Sequence, residues 1–327
     1  MKDLKEKNNP TILFVTEKWC DADPSKGLTN SYHNLFKTYE NVYPNSHFDI
    51  IHFDEYSLLK KKHIDDFLIK TVKNKRPEVI IFSLLHKSHL NPSDRSYSVI
   101  KEQGCKTIFI WADIGPDWGI PKIGDLNQKG FSDIHVCWAR EKNINQNYTN
   151  LLWLWTPEDD NLYYPSNEKQ DISMSFLGSK DNRYQERIQY LKYLQDNGID
   201  CYIGGGQREN KLSPRAYADI IRRSKITLNF PRCTNGYDQL KGRVLEALAS
   251  KSLVFERKND VTSEILKPGV HYVEYTSPQD LVEKYHYYLE NEEERSRIVQ
   301  NGYKIYREKY NAKNFWDQVL KGVMANV

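Results

Sequence analysis

Cysteine is scarce in this chain. The five cysteines are odd in number, lie far apart and include no CxxC pair. Such a set argues against a disulfide framework and against a zinc site. The simplest interpretation is a protein of a reducing compartment, and we expect a cytoplasmic location.

Excess charge and long apolar runs are also missing. The 47 basic and 44 acidic residues leave a formal net charge of +3, too little to argue for a nucleic-acid partner. The apolar run at residues 12–15 is far too short for a signal peptide or a spanning helix. Lys, Trp and Tyr of the first half leave peripheral association with the inner face of a membrane open, although the sequence shows no clear amphipathic anchor.

The chain does contain many short apolar runs, which alternate with longer polar, periodic stretches. This alternation predicts an α/β fold in which parallel sheets carry helices on both faces. The predicted strands are residues 11–16, 47–54, 77–85, 105–113, 134–139, 151–155, 171–179, 199–206, 225–231, 252–257 and 271–275. Residues 60–74 predict one helix, and the polar stretch 157–171 predicts a linker. The pattern therefore indicates two doubly wound halves and a helical tail.

The segment DQLKGRVLEALAS is the most informative part of the chain. It places two carboxylates, Asp238 and Glu246, eight positions apart, with Lys241, Gly242 and Arg243 between them. A glycine-bearing loop that enters a helix presents unpaired N–H groups and the positive end of the helix dipole. Two cations at the same place suit a pyrophosphate, and a carboxylate one turn further suits two ribose hydroxyls. The segment predicts a pocket for a nucleotide diphosphate.

Five strings of the second half, in this order, resemble the donor-binding domain of group 1 glycosyltransferases. They are FLGS at 176–179, YIGGG at 202–206, YADIIRRSKITLNFP at 217–231, LKGRVLEALAS at 240–250 and the string from EILKPG to VQNGY at 264–303. The resemblance covers about residues 170–310 and is strongest to the spore-maturation glycosyltransferase-like subgroup. The first half shows only the general βα pattern and a glycine loop after its first strand.

The resemblance implies the GT-B architecture, with two Rossmann-like domains facing across a cleft. Residues 1–156 would then be the acceptor-binding domain and residues 157–310 the domain that binds the nucleotide-sugar donor. A C-terminal helix in residues 311–327 would pack back toward the first domain.

The resemblance also implies roles for individual residues. Glu246 would bind the donor ribose, and Lys241 and Arg243 would face the phosphates. Asp238 stands where many members carry a glutamate that faces the transferred sugar, so its reach is one methylene shorter. Glu264 matches a further acidic position near the nucleotide. The glycines that usually follow the first carboxylate are reduced here to one, at position 242.

Cations and helix N-termini can stabilise a diphosphate leaving group without a metal. We predict that Arg232 joins the basic pair at 241 and 243 in this role. Backbone N–H groups would complete the cradle near Gly178, Ser179, Gly204 and Gly205. Plainer interpretations stay open, namely a solvated arginine on a helix face and a flexible turn at GGG.

Candidates on the acceptor side follow predicted strands of the first half. Gly27 and Asn30 lie in the loop after the first strand, which is beside the acceptor in many GT-B enzymes; the alternative is a helix N-terminus capped by Thr29. Asp113 and His86 lie at the ends of two further strands, where a side chain can face a ligand and act as a base. His86 could equally be a loop histidine in solvent.

The predicted function is transfer of a sugar from a nucleotide-diphosphate sugar to a hydroxyl of a glycan, polysaccharide or glycoconjugate. We expect a metal-independent, retaining reaction with no cofactor besides the nucleotide-sugar co-substrate, although the residues alone do not decide the stereochemical outcome. Two alternatives stay open: a nucleotide-sugar epimerase of the same two-domain architecture, and a non-catalytic nucleotide-sugar-binding protein.

Overall fold

The computed structural model divides the chain into two compact units. The first unit consists of Met1–Leu154 together with Ala312–Val327, and the second is Trp155–Asn311. The residues that the structure describes are 10–86, 88–112, 114, 117–138, 148–180, 182–205, 212–233 and 236–325.

The first unit is built on a six-stranded parallel sheet. Its strands are β1 (Ile12–Thr16), β2 (Phe48–His52), β3 (Val79–Ser83), β4 (Lys106–Trp111), β5 (Ile134–Cys137) and β6 (Leu151–Trp153). Their order is β2-β1-β3-β4-β5-β6, and every pairing is parallel. Most residues of β1, β3, β4 and β5 are buried, because helices cover the sheet.

The helices of the first unit follow its strands. They are α1 (Thr38–Val42), which directly follows a π-helical segment at Tyr32–Lys37, then α2 (Phe53–Lys60), α3 (Asp65–Lys75), α4 (Asp94–Glu102) and α5 (Gly119–Lys129). The prediction of one helix over residues 60–74 is therefore wrong at its start. Lys61 adopts a left-handed conformation with φ of 53°, which ends α2 before α3 begins.

The second unit is a five-stranded parallel sheet. Its strands are β7 (Ile172–Leu177), β8 (Cys201–Gly204), β9 (Ser224–Asn229), β10 (Leu253–Arg257) and β11 (Val273–Tyr275), in the order β11-β10-β9-β7-β8. Its helices are α6 (Gln185–Asp196), α7 (Pro214–Arg223), α8 (Gly242–Ala249), α9 (Asp260–Ser263), α10 (Pro278–Glu290) and α11 (Glu292–Ile305), the last continuing as a π-helical segment at Tyr306–Tyr310.

Both sheets reverse their strand order beside their first strand. In the first unit the reversal lies between β1 and β3, and in the second between β7 and β9. Ligands of doubly wound sheets bind outside the carboxyl ends of the strands at such a switch point. The α/β class and the parallel sheets predicted from the sequence are confirmed.

The stretch predicted as a linker, residues 157–171, is part of the second unit. Glu158, Asp159 and Leu162 are buried, and so is Tyr163. The linker prediction is wrong. The stretch is polar in composition, but several of its side chains pack inside the second unit.

The C-terminal helix, α12 (Ala312–Ala325), belongs to the first unit. Its Trp316 is fully buried and donates a hydrogen bond from Nε1 to Thr38 Oγ1 at 3.0 Å. The indole also meets the rings of Phe14 and Tyr39, at centroid distances of 6.1 and 5.1 Å. Within the described part of the chain, we find no helix with the length and apolarity that a membrane span requires.

Candidate functional site

Arg243 lies at the switch point of the second sheet. Helix α8 begins at Gly242 after the extended residue Lys241, so Arg243 is in its first turn. Arg243 Nη1 donates to Oδ1 of Asn229, the last residue of β9. The guanidinium carbon lies 5.0 Å from the ring centroid of Phe176 in β7. The guanidinium of Arg243 therefore contacts both β7 and β9, the two strands between which the strand order reverses.

Gly178 leaves the space that this arginine occupies. A Cβ at Gly178 would lie 2.7 Å from Arg243 Nη2, closer than real contacts allow, and 3.0 Å from Phe176 Cζ, which is an unusually tight contact. The Gly178 N–H donates to the carbonyl of Gly204 at 2.8 Å. Gly178 thus contributes room for the cation, while its own amide is already bonded. The carbonyl of the next residue, Ser179, accepts from the buried Arg187.

Glu246 lies one turn after Arg243. Its Oε2 accepts a hydrogen bond from Tyr217 at 2.9 Å, and the Tyr163 hydroxyl donates to the same carboxylate. Burial raises the pKa of Glu246, and the positive charge of Arg243 and the two tyrosine hydroxyls oppose that rise. The residue keeps some exposed surface. The carboxylate is therefore held in place beside the cation.

Gly242 separates two carboxylates at the start of α8. A Cβ on Gly242 would lie 3.4 Å from Glu158 Oε1 and 3.6 Å from Glu246 Oε1. Negative charge at the positive end of a helix dipole is favourable. Glu158 is fully buried, and the sequence did not mark it because it lies in the stretch taken for a linker.

The glycines after β8 pack against the tyrosine that holds Glu246. Gly205 has a φ of 74°, and a Cβ there would lie 3.3 Å from the Tyr217 ring. Gly204 is the last residue of β8. The third glycine of the GGG string, at position 206, lies outside the described residues.

The other predicted cations lie on the hairpin that connects β9 to α8. Lys241 Nζ is 3.1 Å from Cys233 Sγ and also contacts Gln239 Oε1. Arg232 Nε donates to Asp238 Oδ1 at 3.3 Å, and the two backbones form an antiparallel bridge. The structure therefore pairs Arg232 with Asp238, and it places the ammonium group of Lys241 against Cys233 and Gln239.

Two further acids of this unit differ in placement. Glu264, the predicted acid, is exposed after α9. Glu256 in β10 is fully buried instead and accepts hydrogen bonds from Asn229 (2.6 Å), Asn259 (3.0 Å) and Thr262 (3.1 Å). Burial raises the pKa of Glu256 to about 7. Because Asn229 also accepts from the arginine of α8, Glu256 fixes the amide that orients the cation. The sequence did contain a sign of Glu256, because it is an acidic residue inside the apolar run SLVFER.

The predicted acceptor loop is closed by its own backbone. The carbonyl of Gly27, where φ is 73°, accepts from the Cys20 N–H at 3.0 Å. Thr29 N–H donates to the Lys18 carbonyl at 2.9 Å. Asn30 is exposed, and its carbonyl begins the following helical segment by accepting from the N–H groups of residues 33 and 34.

Glu17, directly after β1, is a carboxylate that sequence reasoning missed. Its Oε1 accepts from the Thr29 hydroxyl at 2.8 Å, whereas its buried Oε2 has no hydrogen-bond partner among the described residues. Burial raises the pKa of Glu17 to about 7; the Thr29 bond lowers it, and nearby Asp54 raises it further. Asp54 is itself buried and accepts from the N–H groups of Lys18 (2.8 Å) and Trp19 (3.0 Å).

Of the two predicted bases, the structure describes only His86. His86 is exposed, with Nε2 3.3 Å from Asp117 Oδ2 and its ring against Trp118 at 5.3 Å. Asp113 lies outside the described residues. The described ranges contain no group of three His, Cys, Asp or Glu side chains that could hold a metal ion. Metal independence stays a prediction.

Comparison with known proteins bears on both units. Residues 168–321, slightly less than half of the chain, match the family model described as glycosyl transferase-like. No curated protein sequence matches the chain. A glycosyltransferase from Rickettsia africae superposes with a TM-score of 0.65 at 11% identity, covering 98% of this chain and 100% of that one. HepE from Anabaena, solved with UDP and glucose, gives 0.63 at 11% identity, covering 97% and 100%.

The fold is GT-B. A Listeria monocytogenes protein named as a candidate UDP-N-acetylglucosamine 2-epimerase also superposes, with a TM-score of 0.56 at 10% identity over 96% of each chain. At such identities the likeness establishes the fold alone. The spore-maturation subgroup stays a prediction.

Proposed function

We propose that this GT-B protein is a glycosyltransferase that moves a sugar from a nucleotide-diphosphate sugar to a hydroxyl acceptor. The observation that carries the proposal is the position of Arg243. Its guanidinium lies at the switch point of the second sheet, at the start of α8 and one turn before Glu246. The glycosyl transferase-like match includes these residues, and HepE, which shares the fold, was solved with UDP and with UDP-glucose.

In this proposal the second unit binds the donor diphosphate. Arg243 and the first N–H groups of α8 stabilise the negative charge that develops on the leaving phosphate. Lys241 and Arg232 add positive charge from the neighbouring hairpin, and the loops at Gly178, Ser179, Gly204 and Gly205 border the phosphates. No metal is required for this role.

Glu246 is proposed to accept hydrogen bonds from the two ribose hydroxyls of the donor. The hydroxyls of Tyr217 and Tyr163 fix the carboxylate for this task. Asp238 is proposed to face the transferred sugar from the hairpin. Glu264 has the least support, because its side chain is exposed and lies after α9.

The first unit is proposed to bind a glycan or glycoconjugate acceptor through the loop that contains Gly27 and Asn30. We propose a retaining reaction, in which a donor phosphate oxygen accepts the acceptor proton. Asp113 and His86 stay candidates for a base in an inverting reaction. Glu17 joins them, because it directly follows β1 at the switch point of the first sheet and burial raises its pKa to about 7, which suits proton transfer.

An epimerase is the second candidate function, because the Listeria protein named as a candidate epimerase shares the fold. Such an enzyme would convert the donor in the absence of any acceptor. A transferase releases the free nucleoside diphosphate only when it transfers the sugar, to an acceptor or, slowly, to water.

The proposal is tested by a thermal-shift screen of UDP, GDP, ADP and CMP and their sugar conjugates. Preferential binding to the native state stabilises it by about 3 kcal/mol at 100 times Kd, which gives a shift of several degrees. Arg243→Ala should abolish the shift produced by the matching ligand, whereas Lys304→Ala, a change on the exposed side of α11, should keep it. An Arg243→Ala variant that retains the full shift would refute the proposed site.

A further inference from the structure

The corner between α2 and α3 exposes apolar side chains. Leu58 and Leu59, in the last turn of α2, are 40% and 72% exposed, and Phe67 in the first turn of α3 is 41% exposed. The Phe67 ring stacks on Tyr56 with centroids 4.8 Å apart, which connects the two helices. We name residues 55–76 the α2–α3 corner. Several exposed apolar side chains on neighbouring elements point to an interaction site.

The same corner is strongly basic. Lys60, Lys61 and Lys62 directly follow the leucines, and the corner holds seven basic and three acidic side chains. Its excess of four positive charges is larger than the net charge of +3 of the whole chain.

The three acids of the corner are already engaged. Their partners are Lys18 for Glu55 (2.5 Å), His63 for Asp65 (3.1 Å) and Arg95 for Asp66 (2.7 Å). Asp65 also accepts from the hydroxyls of Ser93 and Ser96. By contrast, Lys60, Lys61 and Lys62 form no ion pair with any residue that the structure describes. Three lysines are therefore available to an external anion.

We propose that the α2–α3 corner docks on a bilayer surface rich in anionic lipid. Leu58 and Leu59 enter the headgroup region, and the ammonium groups of Lys60, Lys61 and Lys62 lie among the lipid phosphates. Apolar residues beside a lysine cluster bind such surfaces by combining burial of carbon with attraction to anionic headgroups.

A lipid surface fits this corner better than an acidic protein surface does. Lysine is depleted in protein–protein interfaces, because its long flexible chain is costly to immobilise. A fluid anionic surface accepts lysines without fixing them. The leucines are followed directly by the lysines at the end of a short helix, so the apolar and basic groups are neighbours along the chain. The inference goes beyond the proposed function, and none of the proposed donor-binding residues belongs to the corner.

The test is cosedimentation of the full chain with vesicles. One set contains phosphatidylcholine alone, and the other contains about 30% phosphatidylglycerol, at an ionic strength of about 0.05 M, where screening is weak. We expect binding to the anionic vesicles only, and a steep decline as salt is added. Absence of binding to anionic vesicles at low salt would overturn the proposal.

Two variants separate the apolar and basic contributions. Leu59→Glu should lower partitioning by about tenfold or more. The triple variant Lys60→Gln, Lys61→Gln, Lys62→Gln should lower it about a hundredfold, since each lysine near an anionic surface contributes roughly fivefold. The triple variant changes only exposed side chains, so it keeps the proposal testable if the leucine variant folds poorly.

Matched controls place the same changes elsewhere. Met324→Glu puts a charge on another apolar residue of the first unit that is 50% exposed. The triple variant Lys258→Gln, Lys267→Gln, Lys304→Gln removes the same charge from exposed lysines of the second unit. Both controls should bind within about twofold of the unaltered chain.

Equal losses in control and test variants would show a non-specific charge effect and overturn the proposal. Retention of the chain by an acidic protein surface, with no binding to vesicles, would also overturn it. The nucleotide-induced thermal shift should persist in the corner variants. Loss of the thermal shift would mean that the substitution disturbs the donor site, and it would not change what the vesicle binding shows about the corner.

Discussion

The guanidinium of Arg243 lies where a side chain at residue 178 would have to be. Nη2 is 2.7 Å from the position of a Cβ on Gly178. The glycine and the cation are therefore coupled, although they come from different parts of the second unit. Gly178→Ala should displace the guanidinium and weaken binding of the nucleotide diphosphate by about tenfold, since a charge-assisted contact contributes roughly 1.5–3 kcal/mol.

A double-mutant cycle, measured by calorimetric binding, checks this coupling. In an Arg243→Ala background, Gly178→Ala should add little, because the clashing group is gone. Additive losses would mean that the glycine acts on the ligand independently of the arginine.

Glu246 and the tyrosines that bond it should respond differently to substitution. Glu246→Ala should weaken nucleotide binding more than tenfold and also cost about 1–3 kcal/mol of stability, because two buried hydroxyls lose their acceptor. Tyr217→Phe removes one donor but leaves the carboxylate, so its binding should change by less than about threefold. Binding and thermal midpoints of both variants check this. A larger binding loss for the tyrosine variant would make that hydroxyl the ligand contact.

Asp238 can be tested apart from its ion pair with Arg232. The arginine side chain is 51% exposed, and exposed pairs contribute at most about 1 kcal/mol. Asp238→Asn should therefore barely change the thermal midpoint, yet lower kcat by tenfold or more if the carboxylate faces the transferred sugar. Asp238→Glu keeps the negative charge that pairs with Arg232 and is the control, so it should retain most of kcat. An unchanged kcat in Asp238→Asn would exclude this carboxylate from contact with the transferred sugar.

Glu17 should make the stability of the first unit depend on pH. Its pKa in the folded state is about 7, above the ordinary 4.5. The folded state therefore holds the proton more tightly, and stability present below pH 4.5 is lost as pH rises toward 7. The loss amounts to at most about 3 kcal/mol. Glu17→Gln cannot ionise, so its thermal midpoint should stay flatter between pH 5 and 8. Parallel curves for the two proteins would exclude Glu17 as the titrating group.

Trp316 should stabilise only the first unit. Trp316→Ala removes a fully buried indole and its bond to Thr38, at a cost of about 3–5 kcal/mol. Trp316→Phe keeps a ring and should cost less. Calorimetry should show a lower transition for the first unit and an unchanged one for the second. A shift in both transitions would show that the helix stabilises the two units together.

Local patterns in the sequence were sufficient for the strands and for the main motif. Runs such as TILFVT have few alternatives to a buried parallel strand, and each predicted strand overlaps an observed one within the described residues. The arginine and glutamate of α8 were found because they lie three residues apart on one helix start.

Contacts between distant parts of the chain could not be predicted in this way. Nothing local distinguishes Tyr163 from the other 21 tyrosines, because its significance depends on reaching Glu246 across the unit. Glu17 acquires its raised pKa from burial beside Asp54 in another element. The end of α2 likewise depends on the left-handed conformation of Lys61, which no periodicity signals.

The return of α12 to the first unit has a consequence for biosynthesis. The stretch Trp155–Asn311 is continuous and can complete its fold on leaving the ribosome, whereas the unit that begins the chain must wait for its closing helix. Until that helix emerges, the rings of Phe14 and Tyr39 lack the indole that covers them. We therefore expect maturation to reverse the usual order in which the earliest-translated domain is finished first, and a nascent chain stalled before residue 312 to expose these aromatic side chains to chaperones.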